Sequence, residues 1–99
     1  MTSIEIRHED DGKRGAHFVV GEGGERLAEM TYVRAGTKRI IVDHTHVDES
    51  LRGEGVGDRL LEATAEMARR EGLLIVATCP FASARLARDR ERYADVLPS

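Results

Sequence analysis

The chain is predicted to fold as α+β, with an antiparallel β meander, one right-handed βαβ crossover and a closing helix, in the order β-β-β-β-α-β-α. Three observations carry this expectation. Residues 4–47 form short alternating or β-branched runs divided by glycine-containing turns. Over residues 57–71 the apolar spacing changes to three and four, the period of a helix. The run Leu73–Cys79 is then almost continuously apolar, as in a strand covered on both faces and paired in parallel across a helix. With 99 residues, one domain over residues 1–99 is expected.

The elements follow in order. Ile4 to His8 alternates apolar and polar side chains, so a half-buried first strand is expected there. Charged and turn residues from Glu9 to Gly15 end it, and Ala16–Val20 reads as the second strand. Gly21 to Gly24 supplies the next turn, before a third strand over Arg26–Val33 with imperfect alternation. Ala35-Gly36-Thr37 turns the chain into Arg39–Val47, whose β-branched residues make the clearest strand of the first half.

From Gly57 to Glu71, Leu60, Leu61, Ala63, Thr64, Met67 and Ala68 recur at spacings of three and four and share one helical face. Asp58 in the first turn and Arg69 and Arg70 in the last complement the helix dipole, and Gly72 suits the left-handed stop. Pro80 fits the first turn of a last helix, Phe81 to Arg92, with Cys79 near its cap. Tyr93 to Leu97 should pack back as a short tail.

Composition narrows the function. Fifteen basic and eighteen acidic residues give a net charge of -3, against a general nucleic-acid binder. No apolar run approaches the roughly 20 residues of a membrane span, and residues 1–8 do not read as a signal peptide. The lone Cys79 excludes an internal disulfide framework and fits a reducing, cytoplasmic setting. Aromatic residues are only 4% of the chain, so Val, Leu, Ile, Ala and Met must build the core. So thin a core leaves room for a homodimer as well as a monomer.

The segment Arg52-Gly53-Glu54-Gly55-Val56-Gly57 stands between the clearest strand and the clearest helix. Glycine accepts positive φ and lets another group approach the backbone. The free amides and positive end of the helix favour an anion there, and Arg52 adds a fork that matches phosphate. A nucleotide P-loop would need Gly-Lys-Ser/Thr, where Gly57 is followed by Asp58 and Arg59. A dinucleotide fingerprint would want glycine at position 58, in a loop that opens the fold.

Those residues match the Gln/Arg-x-x-Gly-x-Gly/Ala motif of the GNAT acetyltransferase superfamily, which the sequence resembles most closely in a very short branch. Leu51 to Gly57 and Cys79-Pro80-Phe81 stand in that branch's order, preceded by a similar His44-Thr45-His46-Val47. The resemblance covers most of residues 27–97. It implies binding of acetyl-CoA, with backbone from Gly53 through Glu54, Gly55, Val56 and Gly57 to Asp58 on the pyrophosphate, beside Arg52. The strand Asp43–Val47 would run beside the pantetheine arm, parting from Leu73–Cys79 to admit it, and the Val47 amide would polarise the thioester carbonyl. The implied reaction is acetyl transfer to the amine of a small molecule or peptide. The helical lid between the first two strands of larger members is missing here. A module that holds CoA without transfer, or a structural domain, are the alternatives.

Three side chains are candidates for chemistry. Cys79 near a helix N-terminus could become a thiolate that takes an acetyl group or forms a mixed disulfide with CoA. As an alternative it is a small buried hydrophobe. His44 and His46 share a face of a regular strand, and either could take a proton from an attacking amine. The resemblance implies a bulge in this strand, which would separate their directions. No metal site is expected, since Cys79, His44 and His46 lack a clear fourth ligand. Arg85, Arg88 and Arg92 share one side of the last helix, where a solvated basic face is preferred to a contact with the 3′-phosphate.

Overall fold

The computed structural model describes residues 4–98. Its elements are β1 (Arg7–Asp10), β2 (Arg14–Val20), β3 (Arg26–Ala35), β4 (Arg39–Val47), α1 (Val56–Glu71), β5 (Leu74–Ala77) and α2 (Pro80–Arg88). Single 3-10 turns at Glu49–Leu51 and Ala94–Val96 complete it. The five strands form one sheet in chain order. β1 to β4 are antiparallel, and β5 joins β4 in parallel after the α1 crossover. This is the α+β order expected.

Several element boundaries differ from expectation. The first strand lies further along, at Arg7–Asp10 rather than Ile4–His8, because it ends in a tight turn onto β2. Asp10 Oδ1 accepts from Gly12 N at 2.8 Å, and Asp11 Oδ1 accepts from Lys13 N and Arg14 N at 2.9 and 2.8 Å. Such side-chain turns need the strand to run up to the aspartates. α2 ends at Arg88 rather than Arg92, so Arg92 is not on the helix with Arg85 and Arg88. The β5 ladder stops at Ala77, leaving Cys79 as the N-cap of α2.

Both helices lie on one side of the sheet. Ala28, Met30 and Tyr32 of β3 and Ile40 and Val42 of β4 are buried in one core with Leu60, Leu61, Ala65 and Met67 of α1 and Ala82 and Leu86 of α2. Gly72 ends α1 at φ 69°, donating its N–H to the carbonyls of Ala68 and Arg69. The tail packs back, burying Tyr93 and Val96. On the other side of the sheet Phe18, Thr31, Val33, Ile41 and Val76 are only half-buried. The two faces are thus unequal, and the open one carries β4 side chains of chemical interest.

Candidate active site

The site begins where β4 and β5 part. Their ladder runs from Arg39↔Leu74 to Val42↔Ala77 and ends there. The Val42 carbonyl accepts from both Thr78 N, at 2.9 Å, and Cys79 N, at 3.2 Å. Beyond it β4 continues to Val47, while the other chain turns into α2 at Pro80. Asp48 N donates to Leu27 O at 2.6 Å. Backbone groups alternate sides along a strand. The Val47 amide therefore faces the opposite edge, into the opening between β4 and α2.

The glycine segment closes one end of this opening. Asp48 accepts from Ser50 N and Oγ, at 3.0 and 2.6 Å, bonds that hold its carboxyl below the usual range and cap the 3-10 turn. Gly53 and Gly55 follow at φ 85° and 70°, in the left-handed region. Gly55 is the N-cap of α1, with no side chain capping the first turn. The amides of that turn are left as donors at the positive helix end. Gly57 has another reason to be glycine. A Cβ there would stand 2.6 Å from Phe81 Cζ. Two glycines therefore serve backbone geometry and the third serves packing, so their number alone does not call for an anion.

Around the loop is a depression of about 290 Å³, lined by Val47, Arg52, the glycines, Asp58, Phe81 and Arg85. Arg52 is exposed and forms no ion pair among the described residues. Glu54 is exposed as well. The Asp58 carboxylate is not free: Arg85 Nε lies 3.1 Å from Oδ1 and an Arg88 terminal nitrogen 3.8 Å away. A larger depression, about 490 Å³, opens between β1, β2 and β3 around Glu9, Arg14, Ala16 and Thr31. It has no helix N-terminus and lies away from the free edge of β4, so the smaller one suits a phosphate.

A β-bulge places the histidines. Thr31 pairs with His44 and Tyr32 with Val42, which makes Asp43 the extra residue on β4. Ile40 and Val42 face the helices before the bulge, and Thr45 and Val47 face them after it. His44 and His46 are both exposed, on the open side. The bulge precedes both histidines, so it does not separate their directions. His44 Nε2 lies 3.6 Å from Glu29 Oε2. Asp43 accepts from Thr31 Oγ1 at 2.6 Å and from Arg14 at 3.5 Å.

Cys79 is 4% exposed and part of the core, with its thiol donating to Thr45 Oγ1 at 3.1 Å. The thiol thus sits beneath β4, away from His44 and His46. Among the described residues no three His, Cys, Asp or Glu side chains converge on a metal position. No helix among them is long and apolar enough to cross a membrane.

A second polar cluster was not foreseen. The rings of His8 and His17, cross-strand partners, stack with centroids 4.3 Å apart. His17 Nδ1 lies 3.0 Å from Thr64 Oγ1, and His8 Nε2 lies 2.6 Å from the Tyr32 hydroxyl, which donates to Asp10 at 3.0 Å. Arg34 holds Asp10 through Nε at 3.1 Å, and with the Gly12 and Tyr32 bonds keeps its carboxyl well below the usual range. Burial pushes Tyr32 above its ordinary value, helped by Asp10, and lowers His17 to about 4, helped by the charges of His8 and Arg70. His17 falls in the apolar run Ala16–Val20, two residues before the buried Val19, and that spacing is the one signal of it in the sequence.

Residues 17–96 match the family described as GCN5-related N-acetyl-transferase, and the chain belongs to that family. Protein NATD1 of Xenopus tropicalis is 32% identical over 77 residues, which cover 78% of this chain and 71% of that protein. An NMR solution structure of a GCN5-like candidate N-acetyltransferase from Staphylococcus aureus has a TM-score of 0.77 and 34% identity, covering 100% of this chain and 92% of its own. A GNAT family acetyltransferase from Elizabethkingia anophelis with acetyl-CoA bound has a TM-score of 0.65 at 12% identity, covering 90% of this chain and 74% of its own, a likeness of fold.

Proposed function

We propose that this chain is an acetyl-CoA-dependent N-acetyltransferase that transfers an acetyl group to an amine. One relationship carries the reading: the uncapped first turn of α1, reached through left-handed Gly53 and Gly55, opens onto the free edge of β4. A pyrophosphate needs several converging donors at a positive helix end, and the backbone of residues 53–58 offers them beside Arg52. The Val47 amide suits the thioester carbonyl, where a fixed donor favours developing negative charge.

Acetyl-CoA, when bound, supplies an acetyl group already activated as a thioester. His44 takes up the proton that the amine loses. Glu29, 3.6 Å from its imidazole, orients the ring and balances the charge it acquires. His46 shares the open face and serves as the alternative base. The buried Cys79 thiol is not needed for this scheme.

Calorimetric titration with CoA tests the reading, with saturable heat in the micromolar range expected. Absence of binding at millimolar CoA would remove it. The open face favours a second reading, a CoA-binding module without transfer, since β1 and β2 are joined only by Asp11–Lys13 and no segment between them shapes an acceptor site. Radiolabelled acetyl transfer to a panel of amines and peptides separates the two.

A further inference from the structure

We infer that Arg85 is a ligand of the cofactor's pyrophosphate, and that Asp58 occupies its guanidinium in competition with that anion until the anion displaces it. The inference rests on the CoA-binding reading above and adds a residue from α2 to a cradle otherwise made by the loop. Arg85 lines the same depression as Arg52 and the glycines. Its guanidinium carbon stands 5.0 Å from the centre of the Phe81 ring, and that ring rests against Gly57. Gly57 thus bears on the edge of the Phe81 ring, and the guanidinium of Arg85 lies over that ring.

Its present partner is an imperfect one. Arg85 Nε lies 3.1 Å from Asp58 Oδ1, within ion-pair distance, yet this buried nitrogen makes no hydrogen bond. The N–H therefore points away from the best line to the carboxylate. A buried donor without an acceptor is costly. Asp58 also occupies the first turn of α1, where its negative charge competes with any incoming phosphate. Arg85 and Arg88 offset that charge from the side. A pyrophosphate on the α1 amides would offer Arg85 a doubly charged acceptor with matching fork geometry. The guanidinium would exchange one carboxylate for it without leaving the Phe81 ring.

Dissociation constants for CoA and for dephospho-CoA, which keeps the pyrophosphate and lacks the 3′-phosphate, test this in variants checked for an unchanged melting temperature. Arg85→Gln should weaken both ligands by a similar factor, about tenfold to a hundredfold. Arg85→Lys should recover part of the loss, and Asp58→Asn should tighten both severalfold. Arg90→Gln, a change of equal charge at an exposed position just past α2, should stay within about twofold. Arg85→Gln binding like the parent would overturn the inference, as would a loss confined to CoA, which would assign Arg85 to the 3′-phosphate. Weaker binding in Asp58→Asn would overturn the role given to Asp58. A parent protein that binds neither ligand would instead remove the CoA reading itself, and this inference with it.

Discussion

Gly57 and Phe81 meet so closely that any side chain at position 57 would force the ring to shift: an added Cβ would lie 2.6 Å from the ring carbon Cζ. The contact ties the first turn of α1 to the first turn of α2, the two segments that border the phosphate-sized depression.

Gly57→Ala should therefore destabilise the fold by about 1–3 kcal/mol, the usual cost of overpacking, although alanine is the better helix former. Urea unfolding measures it. In a Phe81→Leu background the same change should be neutral or stabilising, because the clash is gone and only helix propensity remains. Additive effects in the two backgrounds would show that the ring is not the obstacle.

His17 makes stability depend on pH. Its folded value, about 4, lies below the unfolded value near 6.5, so the unfolded chain binds the proton first. The stability it contributes is complete above about pH 6.5, falls as pH drops toward 4, and is gone below that. The loss is on the order of 3 kcal/mol. Urea midpoints between pH 7.5 and 4.5 should show this decline, and His17→Gln should flatten it. The charges that face His17 come from His8 on β1 and Arg70 on α1, so His8→Ala should also make the decline shallower.

His44→Ala should lower the acetyl-transfer rate by about 10²–10⁴-fold, the usual contribution of a general base, and leave CoA affinity unchanged. Glu29→Gln should cost less, since it removes only the partner of the ring. A His44 variant with the parent's rate would pass the role to His46 or to no side chain.

Cys79 should resist thiol reagents in the folded protein, because it is 4% exposed beneath Thr45. Its modification by an aromatic disulfide should follow the opening of the structure and accelerate in urea. Rapid labelling of the native chain would point instead to a reactive thiol of the kind a helix N-terminus can create. Cys79→Ala separates the cases again, since loss of a packed thiol should change stability and leave acetyl transfer intact.

Local chemistry made some of this fold legible. β4 occupies Arg39–Val47 as expected, since its β-branched residues favour a strand whatever its neighbours do. α1 begins one residue before the expected Gly57 and ends with Gly72 as its left-handed stop. β1 lies beyond the expected Ile4–His8 although Ile4 and Ile6 alternate with polar residues, because strand limits depend on the partner: the turn at Asp11–Lys13 sets which residues can pair with Gly15–Phe18. The shared direction of His44 and His46 depended on where a bulge falls, and Asp43 has no composition that announces one. The stacking of His8 on His17 depends on register between two strands, and the approach of Arg85 to Asp58 on how two helices dock. Neither follows from spacing along the chain.

The extra residue at Asp43 also has a consequence for length variation. Losing that single codon in frame would alter no downstream residue type, yet it would restore simple two-residue parity to β4. His44 would then follow Val42 directly and still pair with Thr31, so His44 and His46 would stay on the open face and Thr45 and Val47 toward the helices. Asp43→Ala and deletion of Asp43 should therefore both leave a cooperatively melting protein, the deletion losing only the bulge. Relatives of this chain can accordingly differ by this one residue in the length of the strand and keep the same side chains on each face.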